Sequence, residues 1–189
     1  MKVKITAKDI VKPVVVLFVI CLIVTFALAV TNQATKNKIV EINQKTEQTS
    51  QKQVLPDADS FEKKSSKGIT FVVGKKGSDV TGYIFTTTSK SYGGDVKVMT
   101  GISKDGKVTG VNLLETSDTP GLGLNAQKQS FRDQYKQKVP DSGAFTVIKN
   151  GKAGNGQIAA LTGATITSKG VTTAVNEAVK TFNTVKGGA

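Results

Sequence analysis

Between Pro13 and Val30 the chain reads PVVVLFVICLIVTFALAV, eighteen residues without a charge and with Thr25 as the one hydroxyl. No other segment restricts the fold so strongly. At 1.5 Å per residue such a run makes roughly 27 Å of helix, and the uncharged flank as far as Thr35 carries it past the thickness of a hydrocarbon core. A soluble helix of this length would show a polar stripe, and this one has none. The expectation is a membrane span over residues 13–31, preceded by a tail over 1–12.

The flanks give its direction. Lys2, Lys4, Lys8 and Lys12 precede the span with only Asp9 among them, whereas Lys36, Lys38 and Lys45 on the far side are diluted by Glu41 and Glu47. Positive charge stays on the cytoplasmic side, so the tail is expected in the cytoplasm and the bulk of the chain outside the cell membrane. A cleaved signal peptide competes, because Ala27-Leu28-Ala29 has the small-x-small form of a cleavage site, but the apolar run exceeds a usual signal core. Bulky Ile20 before Cys21 argues against a lipoprotein, and Cys21 reads as a free apolar thiol in the span.

Composition then removes whole classes of chemistry. The 189 residues contain no histidine, a single cysteine and no tryptophan. Imidazole bases, His-ligated metals, intrachain disulfides and cysteine-held clusters are therefore excluded from this chain. The charge is strongly basic, 26 Lys+Arg against 14 Asp+Glu for a net +12, yet Arg132 is the only arginine. Lysines offer point charges and not the flat forks that read bases, and aromatic residues are only 6%, so nucleic acid is not an expected partner.

Residues 32–55 are rich in Gln, Lys, Thr and Glu and are expected to form a helical stalk or linker closed by Val54-Leu55-Pro56. Residues 56–189 are enough for one core. Strands are expected at 69–73, 82–88, 96–102 and 108–114, with a short one at 144–148; Val96, Val98, Thr100 and Ile102 alternate with the period of a half-buried strand. Lys104-Asp105-Gly106 is a hairpin turn. Helices are expected over 125–138, where Phe131 and Tyr135 are four apart, and over 168–185, where Val171, Ala174, Val175, Ala178, Val179, Phe182 and Val185 share a face. The class is α+β: one transmembrane helix and stalk, then a single domain whose mainly antiparallel sheet is packed by helices.

Two segments could carry chemistry. Leu161-Thr162-Gly163-Ala164-Thr165-Ile166-Thr167-Ser168 opens the last helix, and free N–H groups, the helix dipole and four hydroxyls make it an anion seat. A plain cap by Thr167 or Ser168, with Gly163 turning, accounts for the same residues, and composition alone favours it. Glu115-Thr116-Ser117-Asp118-Thr119-Pro120-Gly121-Leu122-Gly123-Leu124-Asn125-Ala126 contains a GxGxxA match, but no parallel βαβ unit surrounds it and Asp141 lies in a loop, so a dinucleotide fingerprint is not expected. Its glycines suit a loop lying flat against a planar ligand, or simply a turn. Tyr92-Gly93-Gly94 is a third such point.

Together these residues resemble the FMN-binding membrane subunits of the RnfG and NqrC family. Thr162-Gly163-Ala164-Thr165 matches that family's (Ser/Thr)-Gly-Ala-Thr flavinylation core, and Tyr92-Gly93-Gly94, Glu115 through Gly123, the single span and the stalk match in order. The chain length sides with RnfG. One departure stands out: the family usually has Asp three residues before the core, and here that residue is Ala159. The resemblance implies FMN joined by a phosphoester to Thr165, with Thr162, Gly163, Ala164, Thr167 and Ser168 about its phosphate. Tyr92 and Gly93 would also bind the cofactor, and Glu115, Thr116, Thr119, Pro120, Gly121, Leu122 and Gly123 would lie near its ring. It further implies an electron-carrying subunit of a ferredoxin:NAD oxidoreductase that moves Na⁺ or H⁺. Its partners would be the complex's other membrane and iron-sulfur subunits, and a flavin transferase would mature it. No side chain here need act as acid, base or metal ligand, since the cofactor does the redox step. A cofactor-free, membrane-anchored binding module and a stand-alone or NqrC-type flavoprotein are the competing readings.

Overall fold

The computed structural model describes residues 7–66, 68–149 and 151–186. Lys2 and Lys4 of the expected tail, and Asn150 of the turn-rich stretch before Gly156, lie outside them. The chain divides into two units, Met1–Lys45 and Thr46–Ala189.

One helix covers the span and most of the expected stalk, its residues up to Lys45 in the first unit and its last turns in the second. Helix α1 runs Ala7–Val54, with Pro13 within its first two turns. Its apolar side chains from Ile10 to Val30 have no protein cover, and the helix is long and apolar enough to cross a membrane. Past the apolar run, Thr31 and Thr35 turn their hydroxyls back to the carbonyls of Ala27 (2.9 Å) and Thr31 (2.8 Å). Glu41 then pairs with Lys38 at 3.0 Å and Lys45 at 2.7 Å, spacings that support a solvated helix.

The second unit is built on an antiparallel meander of strands β1 (Ser60–Ser66), β2 (Ile69–Lys76), β3 (Asp79–Ser91), β4 (Gly94–Ser103) and β5 (Val108–Glu115), in that spatial order. Four of the five are the expected strands with longer ends. β1 escapes sequence reading because Ser-Phe-Glu-Lys-Lys-Ser-Ser has one apolar residue; it is an edge strand whose lysines discourage further pairing. A small parallel pair, β6 (Thr146–Ile148) and β7 (Gln157–Ala159), stands apart.

The alternation along β3 and β4 divides the core between the two faces of the sheet. Phe85, Val96, Val98 and Ile102 face one side, where helix α3 (Thr165–Lys186) lays down Val171, Ala174, Val175, Ala178, Val179 and Phe182. At about 1.5–3 kcal/mol for each larger side chain buried, this face carries most of the domain's hydrophobic stabilisation. Ile84 and Met99 face the other side and are covered by Val54, Leu55 and Ala58. The last turn of α1 is thus a core element of this unit, although its sequence reads as stalk. Gly101 and Gly110 allow it: a β-carbon on either would run into the Val54 backbone.

The helix expected over 125–138 is instead three short pieces: a 3₁₀ turn at Gly123–Gln127, α2 at Gln129–Arg132 and a 3₁₀ turn at Asp133–Tyr135. Only Ala126, Phe131 and Tyr135 are buried, too narrow a stripe to hold this largely polar segment in one helix. Lys128 takes an extended conformation and breaks it.

Two hydroxyls place the N-terminal half of α3. Thr87 donates to the Ala174 carbonyl at 2.8 Å and Ser89 to that of Gly170 at 2.6 Å. A β-carbon on Gly170 would lie 2.6 Å from the Lys90 carbonyl oxygen, so the glycine lets the helix press against the end of β3. This contact fixes the start of α3 beside the β3–β4 turn and the loop that leaves β5.

Candidate functional site

Helix α3 begins at Thr165, earlier than its apolar face predicts, and its first intrahelical bond runs from the Ser168 N–H to the Ala164 carbonyl at 3.0 Å. Alanine occupies the capping position, so no side chain can close the helix start there. The plain cap by Thr167 or Ser168 is overturned, because both hydroxyls point elsewhere. Thr167 donates to Asp118 Oδ1 at 3.1 Å, and Ser168 donates to the Ala164 carbonyl at 3.0 Å while accepting the Leu161 N–H at 2.9 Å. Among the described residues, the N–H groups of Thr165, Ile166 and Thr167 and the hydroxyl of Thr165 take no hydrogen bond. An uncapped helix start with an adjoining free hydroxyl is a seat for an anion.

That seat opens into a cleft of about 560 Å³ lined by Tyr92, Asp118, Thr119, Leu122, Gly123, Gly163, Ala164, Thr165, Ile166 and Thr167. It has three walls: the β3–β4 turn, the loop after β5 and the start of α3. Each wall presents one large apolar side chain to solvent, Tyr92 at 71% exposure, Leu122 at 45% and Ile166 at 58%. Among the described residues of the second unit these are the only large apolar side chains so exposed. Apolar groups gathered on the rim of one cleft, with polar groups at its base, suit a ligand with a flat apolar part and an anionic part.

Asp118 ties the walls together, and sequence reasoning passed it over. It is 4% exposed. Its Oδ1 accepts the Gly93 N–H at 2.8 Å and the Thr167 hydroxyl, and its Oδ2 accepts the hydroxyls of Ser91 at 2.5 Å and Thr116 at 3.0 Å. Burial pushes its pKa up, but these four hydrogen bonds outweigh that and hold the carboxyl below its ordinary value. The signal that could have found it is local: an acid flanked by Thr116, Ser117 and Thr119 inside a loop of glycines.

The other expected residues fall into two groups. Tyr92, Thr119, Leu122, Gly123, Gly163, Ala164, Thr165 and Thr167 line the cleft, with Gly93, Thr116 and Ser168 bonded just behind it. Thr162, Pro120 and Gly121 are exposed and do not line it; the Gly121 carbonyl instead accepts from Asn125 at 2.7 Å. Glu115 turns to Lys97 at 3.0 Å. Ala159 lies in β7, its N–H held by Gln134 at 2.7 Å.

The stretch that supplies the three walls is also the part of the chain that a known domain matches: a family model described as FMN-binding domain covers residues 91–180. Fold and cleft therefore define an FMN-binding domain preceded by a helix able to span a membrane. Over nearly the full chain the similarity is closer still. The G subunit of the Na⁺-translocating ferredoxin:NAD⁺ oxidoreductase complex of Acetobacterium woodii is 35% identical, over 96% of this chain and 95% of that protein. Its counterpart in the proton-translocating ferredoxin:NAD⁺ oxidoreductase complex of Clostridium ljungdahlii is 37% identical over 90% and 88%. The chain belongs to the RnfG family, the G subunits of ion-translocating oxidoreductase complexes. The crystal structure of Shewanella oneidensis NqrC shares the fold, with a TM-score of 0.57 over 71% of this chain and 73% of that one at 19% identity.

Proposed function

We propose that this chain is the FMN-carrying G subunit of a membrane-bound ferredoxin:NAD oxidoreductase that translocates Na⁺ or H⁺, and that its FMN is joined through a phosphoester to Thr165. The observation that carries the attachment is the state of Thr165: a hydroxyl without a partner at the first residue of an uncapped helix, in the wall of the cleft. The neighbouring hydroxyls of Thr167 and Ser168 are already engaged in the fold, which leaves Thr165 as the acceptor of the Thr-Gly-Ala-Thr core that faces the cleft.

The residues present fit the group. A phosphodiester on Thr165 keeps one negative charge, which the free N–H groups of the first helical turn and the helix dipole stabilise. Gly163, at φ +75°, lets the backbone turn close beside it. Tyr92, Leu122 and Ile166 provide apolar cover for a planar ring, and the N–H group of Gly123, in the cleft wall, is a donor for its polar edge; that of Leu122 is taken by the Thr119 carbonyl at 3.2 Å. FMN supplies the electron transfer, and the chain supplies position, exclusion of water and electrostatics. Covalent attachment retains the cofactor in a domain that faces the external medium, the side on which the lysines before the span place it. Family membership favours this reading over the cofactor-free binding module.

The test is a denaturing gel. Protein made with a flavin transferase, boiled and resolved under ultraviolet light, gives a fluorescent band for the wild type and for Thr162→Ala and none for Thr165→Ala. A dark wild-type band, or fluorescence that survives Thr165→Ala, contradicts the assignment.

A further inference from the structure

Each of the three apolar side chains on the rim of the cleft is the chain neighbour of a group that bears on Asp118. Tyr92 precedes Gly93, whose N–H bonds Oδ1, and Ile166 precedes Thr167, whose hydroxyl bonds the same oxygen. Leu122 precedes Gly123, packed so close that a β-carbon there would lie 2.6 Å from the Asp118 β-carbon and 2.7 Å from Thr167 Oγ1. Ser91 and Thr116 fill Oδ2. The carboxylate thus has its four acceptor positions occupied, and every donor is neutral.

That neutrality is the informative part. The chain has 26 lysines and arginines, yet among the described residues none pairs with Asp118. The charge is held by neutral hydrogen-bond donors alone, which outweigh the cost of burying it. An asparagine could make the same four contacts at no such cost, its oxygen accepting from Gly93 and Thr167 and its NH₂ donating to the oxygens of Ser91 and Thr116. The fold therefore carries a charge that holding the walls together does not require.

We infer that Asp118 is the positioning residue of the FMN cleft and that its negative charge, paired with no cation among the described residues, lowers the reduction potential of the flavin seated there. This rests on the proposed reading of the cleft as the FMN seat. Accepting electrons adds negative charge to the ring, and a fixed anion in the cleft wall, screened by little water, opposes it.

The experiment uses the full chain with FMN attached and measures its midpoint potential by equilibration with redox dyes, read from the flavin absorbance. Asp118→Asn keeps the four contacts and removes the charge. Its potential is expected to move positive by roughly a tenfold change in the reduction equilibrium, about 59 mV for a one-electron step, with the shape of the visible band retained. Thr116→Val keeps the charge and removes a neutral donor that shields it, so its potential is expected to move the opposite way. A loaded Asp118→Asn protein whose potential is unmoved or more negative overturns the inference. If that variant yields no loaded protein, Thr116→Val decides: a negative shift supports the charge, and no shift or a positive one overturns it. A wild-type chain that carries no flavin overturns the proposed function and this inference with it, whereas a loaded chain with an indifferent Asp118→Asn overturns this inference alone.

Discussion

Thr167 Oγ1 and Asp118 Oδ1 are 3.1 Å apart although 49 residues separate them in the chain. This bond joins the start of α3 to the loop after β5. With alanine at the capping position and Thr167 engaged by Asp118, the helix N-terminus and the Thr165 hydroxyl stay open to a ligand.

The lowered pKa of Asp118 makes part of the domain's stability depend on pH, and the sign follows from the direction of the shift. A carboxyl whose folded pKa lies below its unfolded value, about 3.9, stabilises the fold fully above that value. The contribution disappears as pH falls through the folded pKa. The stability of the wild type, measured by denaturant midpoint, should therefore fall relative to that of Asp118→Asn as pH drops from 7 to below 3. A constant difference between the two across this range contradicts the shift.

Two glycines in the walls should respond differently to alanine. A β-carbon on Gly93 would collide with the Ser117 carbonyl and approach the Asp118 Cα at 2.8 Å, so backbone must move. Gly93→Ala should cost about 1–3 kcal/mol and weaken the Asp118 contact. At Gly121 there is open space but φ is +78°, so Gly121→Ala should cost only the roughly 1 kcal/mol of a left-handed residue. Denaturant unfolding of both variants checks the order.

Tyr135 anchors the broken segment to α3. Fully buried, its hydroxyl lies 2.7 Å from Thr172 Oγ1, which itself donates to the Ser168 carbonyl at 2.8 Å. Tyr135 is therefore the donor in this pair, and burial raises its pKa far above the ordinary phenol value. Tyr135→Phe should lower stability by about 0.5–1.5 kcal/mol in a thermal melt without change in the flavin spectrum. An unchanged melting temperature would show that the bond contributes nothing.

Much of this architecture was legible in the sequence. The span needed only an uncharged run, the β4 alternation of Val96, Val98, Thr100 and Ile102 gave its face, and the stripe from Val171 to Phe182 gave α3. Val54 and Leu55 were not legible as core, because two apolar residues after a polar stalk look like a linker and their burial depends on glycines at 101 and 110, far along the chain. The helix over 125–138 misled because Phe131 and Tyr135 are spaced for one, while the extended Lys128 between Ala126 and Phe131 depends on tertiary packing. At the cleft the hydroxyl-glycine run was visible, but which hydroxyl was free was not. That depended on Asp118, whose partners lie 2 to 49 residues away.

The direction of the span has its own test. With the lysine-rich tail inside, alkaline phosphatase fused after the C-terminus should be active and green fluorescent protein at the same place dark. Moving Lys2, Lys4, Lys8 and Lys12 to glutamine should weaken that asymmetry.

Intact-mass measurement followed by peptide mapping tests the central claim most directly. Protein from cells that contain a flavin transferase is expected to be heavier by one FMN less one water, with the added mass confined to the peptide containing Thr165 and absent from Thr165→Ala. An unmodified mass, or an adduct that maps to any other residue, contradicts the account.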